Sequence, residues 1–200
     1  MPRKSNFDIH DFWSSEFSEH QIVATQTAEG LKPAFEEMLD ACVEAIQSGN
    51  KILFFGNGGS AADAQHLATE LAVRYKTDRA PIAAIALTTD TSSLTAIGND
   101  YGFDHLFSRQ VEAIGRDGDV AICISTSGNS ANVLKAMESC RRLGIKTVGF
   151  TGRSGGKMAA LCDIMLNVPS TTTARIQEMH ITLGQMLCGA LELRLGLVSA

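Results

Sequence analysis

Apolar positions follow two rhythms along the chain. Leu31, Phe35, Leu39, Cys42, Val43 and Ile46 fall on one stripe of period 3.6, predicting a helix over 31–48. Phe12, Trp13, Phe17, Ile22 and Val23 give residues 7–30 a helix-compatible pattern as well. From Lys51 onward, short apolar runs of strand type take over: Ile52–Phe55, Ile82–Leu87, Val120–Ile124, Lys146–Phe150 and Asp163–Val168. Each run leads into a polar turn and most turns into a helical pattern. Gly56–Ser60 precedes an alanine-rich helix carrying Leu67, Leu71 and Val73, and Thr88–Ser92 precedes a short helical piece, Ser93–Ile97. Phe103, Leu106, Phe107 and Val111 are spaced for one face of a helix over 103–114. Ser125–Ser130 precedes a helix over 131–143 that closes at Gly144. A short helix over 157–161 follows the turn Thr151–Gly156, and a last helix from about 174 to 195 follows Pro169.

Nearly all-apolar strands alternating with helices predict a parallel sheet covered on both faces: a doubly wound α/β fold of five strands, with two amino-terminal helices and a long carboxyl-terminal one. Ligands of such folds gather outside the carboxyl ends of the strands. Three polar loops are expected there: Gly56–Ser60, Thr88–Ser92 and Ser125–Ser130.

Composition narrows the reading. Two hundred residues, 44% hydrophobic, suffice for one domain with a sizeable core: helices over 1–48 and an α/β unit over 51–200. A net charge of -5 with no basic run argues against sequence-independent nucleic-acid binding, which neutralises phosphates with clustered Lys and Arg. MPRKSNFDIHDFW lacks the apolar core of a signal peptide, and no stretch approaches about 18 apolar residues, so a soluble cytoplasmic protein with no membrane partner is expected. The five cysteines form no C-x-x-C pair and lie in apolar contexts, as reduced core residues do. The aromatic-bearing first helix either packs on a partner subunit or covers the sheet.

Gly56-Asn57-Gly58-Gly59-Ser60-Ala61 fits the dinucleotide pattern G-x-G-x-x-A, but the acid that should end the second strand is missing: Asp78 precedes that strand and Asp90 lies too far on. Such a loop also lets backbone N–H groups and a helix N-terminus approach an anion or a polyol. Ser125, Thr126, Ser127 and Ser130 place four hydroxyls directly before a helix, which suits a phosphate; a plain capping turn needs one. His66 and Glu70, spaced i, i+4, lie side by side on one helix face and could hold a metal, move protons, or form an exposed pair. Arg175, Gln177, Glu178, His180 and Gln185 load an otherwise apolar last helix with groups that need partners at an interface or a site.

Together GNGGSAADAQHLATEL, a strand-end Gly98-Asn99-Asp100, STSGNS and ARIQEMH resemble the sugar isomerase (SIS) domain and, within it, the phosphoheptose isomerase family. The resemblance covers nearly the whole chain. It implies a flavodoxin-like sheet and a cytoplasmic homotetramer, with sites near subunit interfaces. The implied reaction converts sedoheptulose 7-phosphate into D-glycero-D-manno-heptose 7-phosphate through an enediol, towards the heptose of lipopolysaccharide. Carried over by motif, Ser125, Thr126, Ser127 and Ser130 hold the phosphate. Asn57, Gly58, Gly59, Ser60, Asn99, Asp100 and Gln177 contact the sugar or shape its cleft. His66, Glu70, Gln177 and Gln185 occupy the positions of one zinc ion per subunit, and Glu70 and Gln185 occupy the catalytic acid/base positions.

At one of these the chain departs from the pattern: Gln185 stands where the family has a histidine that binds zinc and partners the glutamate in proton transfer. An amide takes up no proton near neutral pH and is a far poorer zinc ligand. His180, five residues earlier, lies on a different helical face. The departure opens a second reading, a non-catalytic SIS-domain binding protein like the one that associates with the bacterial replication initiator, whereas the presence of both His66 and Glu70 favours the enzyme.

Overall fold

The computed structural model describes residues 7–199; part of the amino-terminal stretch read for a leader segment lies outside the described residues. Five parallel strands form one sheet: β1 (Ile52–Gly56), β2 (Ala84–Ala86), β3 (Val120–Ile124), β4 (Lys146–Gly152) and β5 (Ile164–Val168), in the order β2-β1-β3-β4-β5. This is the flavodoxin-like order, in which the chain leaves β1 towards one edge and returns past it towards the other. The crevice where strand order reverses therefore opens at the carboxyl ends of β1 and β3, where Gly56 pairs with Ile124.

Among the described residues seven α-helices surround the sheet: α1 (Ile9–Gly30), α2 (Lys32–Gln47), α3 (Gly59–Ala72), α4 (Thr91–Asp100), α5 (Ser108–Ile114), α6 (Ala131–Arg142) and α7 (Thr173–Arg194). Alternate strand residues point to opposite faces. Phe54, Ile122, Val148 and Phe150 pack with α2, α3 and α7, while Leu53, Phe55, Ala121 and Cys123 pack with α5 and α6, Phe55 stacking on Phe107 at 5.4 Å. All five cysteines are unpaired and four are buried, and burial pushes the Cys42 thiol up to about 12, which leaves it unreactive.

Three elements differ from expectation. The second strand is a three-residue edge rather than a buried run over 82–87, and Ile85 is 41% exposed. Pro81 has no N–H for a ladder, and the Ile82 N–H turns to the Leu71 carbonyl instead. Gly98-Asn99-Asp100 is not a strand end but the last turn of α4, which Asp90 starts early by accepting from the backbone N–H and hydroxyl of Ser93. The stretch over 103–114 splits into a 3-10 turn, Phe103–His105, and α5, leaving Phe103 exposed.

The first helix does not lay its aromatics on the sheet. Phe12, Trp13 and Phe17 all face outward, and of its residues only Val23 and Thr27 are buried. Polar contacts fasten it to α7: Arg175 reaches the Glu16 carbonyl and carboxylate, and His20 meets Glu178 at 2.8 Å. No described helix is long and apolar enough to cross a membrane.

Candidate active site

The glycine loop turns from β1 into α3 hard against the end of β3. A Cβ on Gly56 would lie 2.7 Å from the Ile124 carbonyl oxygen, so the two strand ends touch through bare backbone. Above that contact, Asn57 and Asn132 exchange two amide hydrogen bonds, both 2.8 Å. Ser60 is buried beside them. Helix α3 begins without a side-chain cap; the Ser60 and Ala61 N–H groups turn back to the Asn57 and Gly58 carbonyls at 3.0 Å, tightening the first turn.

In the serine loop, Ser125 is buried and its hydroxyl meets that of Ser130 at 2.9 Å. Ser130 stands at the N-cap of α6 yet makes no capping bond, in contrast to Asp8 and Asp90, which cap α1 and α4. The simple capping turn is thus not what this loop forms. Hydroxyls beside the uncapped leading N–H groups of a helix are an arrangement that can receive an anion. Gly128 holds the loop's bend at φ +65 against the Gly155 carbonyl; a Cβ there would come within 2.0 Å of that oxygen.

Helices α3 and α7 run side by side in the same direction, with Gly59 beside Gln177, Leu67 beside Gly184 and Tyr75 beside Gly189. That register brings Gln185 to His66. The Nε2 of His66 lies 3.0 Å from Glu70 Oε1 and 3.0 Å from Gln185 Nε2. Half of the imidazole is exposed, but only 20% of the Glu70 side chain is, so the carboxylate is the more enclosed of the two. One turn before His66, burial raises the Asp63 carboxyl above its ordinary range, partly offset by the nearby imidazole.

The structure therefore gathers His66, Glu70 and Gln185 into one cluster. Asn57, Gly58, Gly59 and Ser60 form one loop, and Ser125, Thr126, Ser127 and Ser130 the adjoining one. Gln177 lies apart from the cluster: its amide rests on Gly59, seven residues and about 10 Å of helix rise before His66. Asn99 and Asp100 are exposed at the end of α4, joined side chain to side chain at 2.7 Å. His180 is no substitute for the missing histidine. It is fully buried beside Phe150, donates from Nε2 to the Thr151 carbonyl at 3.0 Å, and burial lowers its pKa to about 4.

Three residues that place this site escaped the sequence reading. Asn132, 2% exposed, ties the two loops; an amide at the second position of an otherwise apolar helix start was its only signal. Arg79 and Glu192, both buried, pair at 2.8 Å, and Arg79 Nη2 donates to the Glu70 carbonyl.

Comparison with known proteins places this arrangement. The sequence profile of the SIS domain matches residues 17–152. A phosphoheptose isomerase of Rhodospirillum rubrum is 59% identical over 160 residues, 80% of this chain and 85% of that protein. Two solved structures superpose closely. The phosphoheptose isomerase of Neisseria gonorrhoeae has a TM-score of 0.88 at 44% identity, over 93% of this chain and 100% of that one. Its counterpart from Francisella tularensis has a TM-score of 0.91 at 37% identity, over 94% and 100%. The chain belongs to the phosphoheptose isomerases of the SIS domain family.

For a phosphoheptose isomerase the donor set at the cluster is thin. Among the described residues no three His, Cys, Asp or Glu side chains are grouped to hold an ion. A single ring nitrogen cannot donate to Glu70 and accept from Gln185 at once. Imidazole, carboxylate and a turned amide oxygen could instead share a cation between them. The set fits a divalent ion with two strong ligands and one weak one, fewer than the three strong ligands of ordinary catalytic zinc sites.

Proposed function

We propose that this phosphoheptose isomerase converts sedoheptulose 7-phosphate into D-glycero-D-manno-heptose 7-phosphate, with Glu70 as the base. The observation that carries the reading is the joining of an uncapped, hydroxyl-lined helix start at α6 to the Glu70 cluster on the helix that leaves the adjoining loop. The serine loop holds the C7 phosphate by Ser125, Thr126, Ser127, Ser130 and the α6 N–H groups. The glycine loop supports the open-chain sugar. Glu70 takes a proton from C1 to give the enediol and returns it to C2; the O1 proton passes to O2 through water in the cleft.

Gln185 donates a hydrogen bond to the oxygen where charge develops but accepts no proton, so turnover depends on Glu70 more heavily than in a glutamate–histidine pair. A zinc ion would be held by His66 and Glu70, with the amide oxygen of Gln185 as a weak ligand, and would supply Lewis-acid polarisation of the sugar carbonyl; Gln177, at Gly59, stands too far from the cluster to join them. The heptose product serves lipopolysaccharide synthesis in the cytoplasm, and the working form is a homotetramer, for which the outward aromatics of α1 supply an apolar surface.

The test is incubation with sedoheptulose 7-phosphate in deuterated water under proton NMR, with and without zinc. Deuterium entering the sugar, together with aldose signals, supports the isomerase. Binding without exchange would overturn it in favour of the second reading, a non-catalytic SIS-domain protein that binds a sugar phosphate and a protein partner such as the replication initiator, for which Gln185 is the one structural argument.

A further inference from the structure

Two loops must act at a fixed separation if one grips a phosphate and the other presents the far end of the same sugar to Glu70. Below, they meet where Gly56 abuts the Ile124 carbonyl, a backbone contact at the base of both loops. The second point of attachment is the reciprocal pair of amides from Asn57 and Asn132. Each amide donates once and accepts once, at 2.8 Å in both directions, and Asn132 is almost wholly enclosed. Only two amides correctly faced satisfy this ring; turning either one over, or replacing it by a carboxylate, sets oxygen against oxygen. The hydroxyl that would ordinarily cap α6, Ser130, is engaged with Ser125, so Asn132 is the side chain of the first turn of α6 that anchors it to the glycine loop.

We infer that Asn57 and Asn132 are a positioning pair that sets the reach between phosphate anchor and proton-transfer end, and so matches the cleft to the length of the sugar. This rests on the proposed sugar-phosphate reading. It also reassigns Asn57: one donor and one lone pair of its amide are committed to Asn132, and its role is to hold the loop rather than to choose among sugar hydroxyls.

The pair should matter to a ligand that spans both loops and not to one that fills the serine loop alone. The experiment is titration calorimetry of wild type, Asn132→Ala, Asn57→Ala, the double variant and Asn132→Asp, with sedoheptulose 7-phosphate and with inorganic phosphate as separate probes. Turnover is measured in parallel, and thermal melts confirm that each variant is folded. The alanine variants should bind inorganic phosphate within about twofold of wild type while losing about 10- to 100-fold in kcat and in affinity for the sugar phosphate. The double variant should lose no more than either single one, because the amides act as a unit. Asn132→Asp should bind sugar phosphate worse than Asn132→Ala.

Equal losses for both probes, additive losses in the double variant, or no loss at all would overturn the positioning role. Wild type that binds the sugar phosphate without turning it over would remove the isomerase and leave the pair to be judged by binding alone. Wild type that binds neither probe would remove both.

Discussion

In the proposed mechanism the chemistry turns on Glu70. Glu70→Gln keeps the shape of the side chain and its contact with His66 but removes the base, so deuterium exchange at the sugar carbons should fall by at least about 100-fold with sugar-phosphate affinity largely kept; retained exchange would take Glu70 out of its role. Gln185→His puts a second imidazole against His66, where the amide now sits 3.0 Å away. Zinc binding by calorimetry should tighten at least tenfold and turnover should rise; no change in either would mean that position 185 does not serve the site. His180 is legible in sequence only as a polar residue on an apolar helix. The structure makes it a buried neutral ring whose pKa falls from 6.5 to about 4. The unfolded chain then binds more protons between those values, so this stability is fully present above pH 6.5 and is lost as pH falls towards 4. Denaturant unfolding of wild type should show a loss of about 2 kcal/mol between pH 7 and 5 from this group, and His180→Gln, which keeps a donor for Thr151 but does not titrate, should lack it. Motifs made the ligand loops readable because glycine and hydroxyl runs have few other uses. Asn132 stayed hidden because its partner lies 75 residues away in the chain.

At the level of elements, the site depends on how α3 and α7 are set against each other. Gly184 lets them close, since a Cβ there would strike Leu67 at 2.4 Å. The buried pair Arg79–Glu192 fixes their register: Arg79 also donates to the carbonyls of Leu71 and Glu70 at the end of α3, and Glu192 lies two turns beyond Gln185. Removing one member of such a pair leaves a buried charge uncompensated. Arg79→Met should therefore cost about 3–5 kcal/mol in denaturant unfolding, and Arg79→Met with Glu192→Leu should recover a good part of it. A double variant no more stable than the single one would show that the cost comes from lost carbonyl partners. The buried strands β1, β3, β4 and β5 were readable because a strand covered on both faces is a continuous apolar run. The edge strand β2 and the split before α5 were not, because partial exposure breaks the burial of the strand's apolar run and the 3-10 turn Phe103–His105 ends at Leu106, inside an apolar spacing that reads as one helix. No run of residues in the sequence signalled that α3 and α7 would be joined by ions.

At the scale of the whole molecule, the outer side of α1 is an apolar surface that the described fold leaves uncovered. Phe12, Trp13, Phe17 and Ile22 are each about half exposed or more, and an apolar trough of about 580 Å³ runs between α1, α2 and α7, lined by Leu31, Phe35, Leu39, Met179 and Leu183. A monomer that left this face in water would carry a patch larger than single scattered apolar residues explain. The sequence shows the aromatics but not their direction, since a helix can turn the same stripe towards its own sheet or towards another copy. Here polar bonds from Arg175 and Thr172 to Glu16 and Glu19 fix α1 with that stripe outward. Each aromatic covered by a neighbour removes about 150–250 Å² from water, worth several kcal/mol per site at about 25 cal/mol per Å². The double substitution Trp13→Glu, Phe17→Glu touches none of the residues in the cleft and should leave the melting temperature of the isolated fold little changed. In sedimentation velocity it should convert a four-copy species into smaller ones at micromolar concentration, with turnover falling as the copies separate if the sites lie near their interfaces. A variant that still sediments as four copies would place the contacts elsewhere, and a wild-type protein that sediments as a monomer would leave the outward aromatics to a different partner.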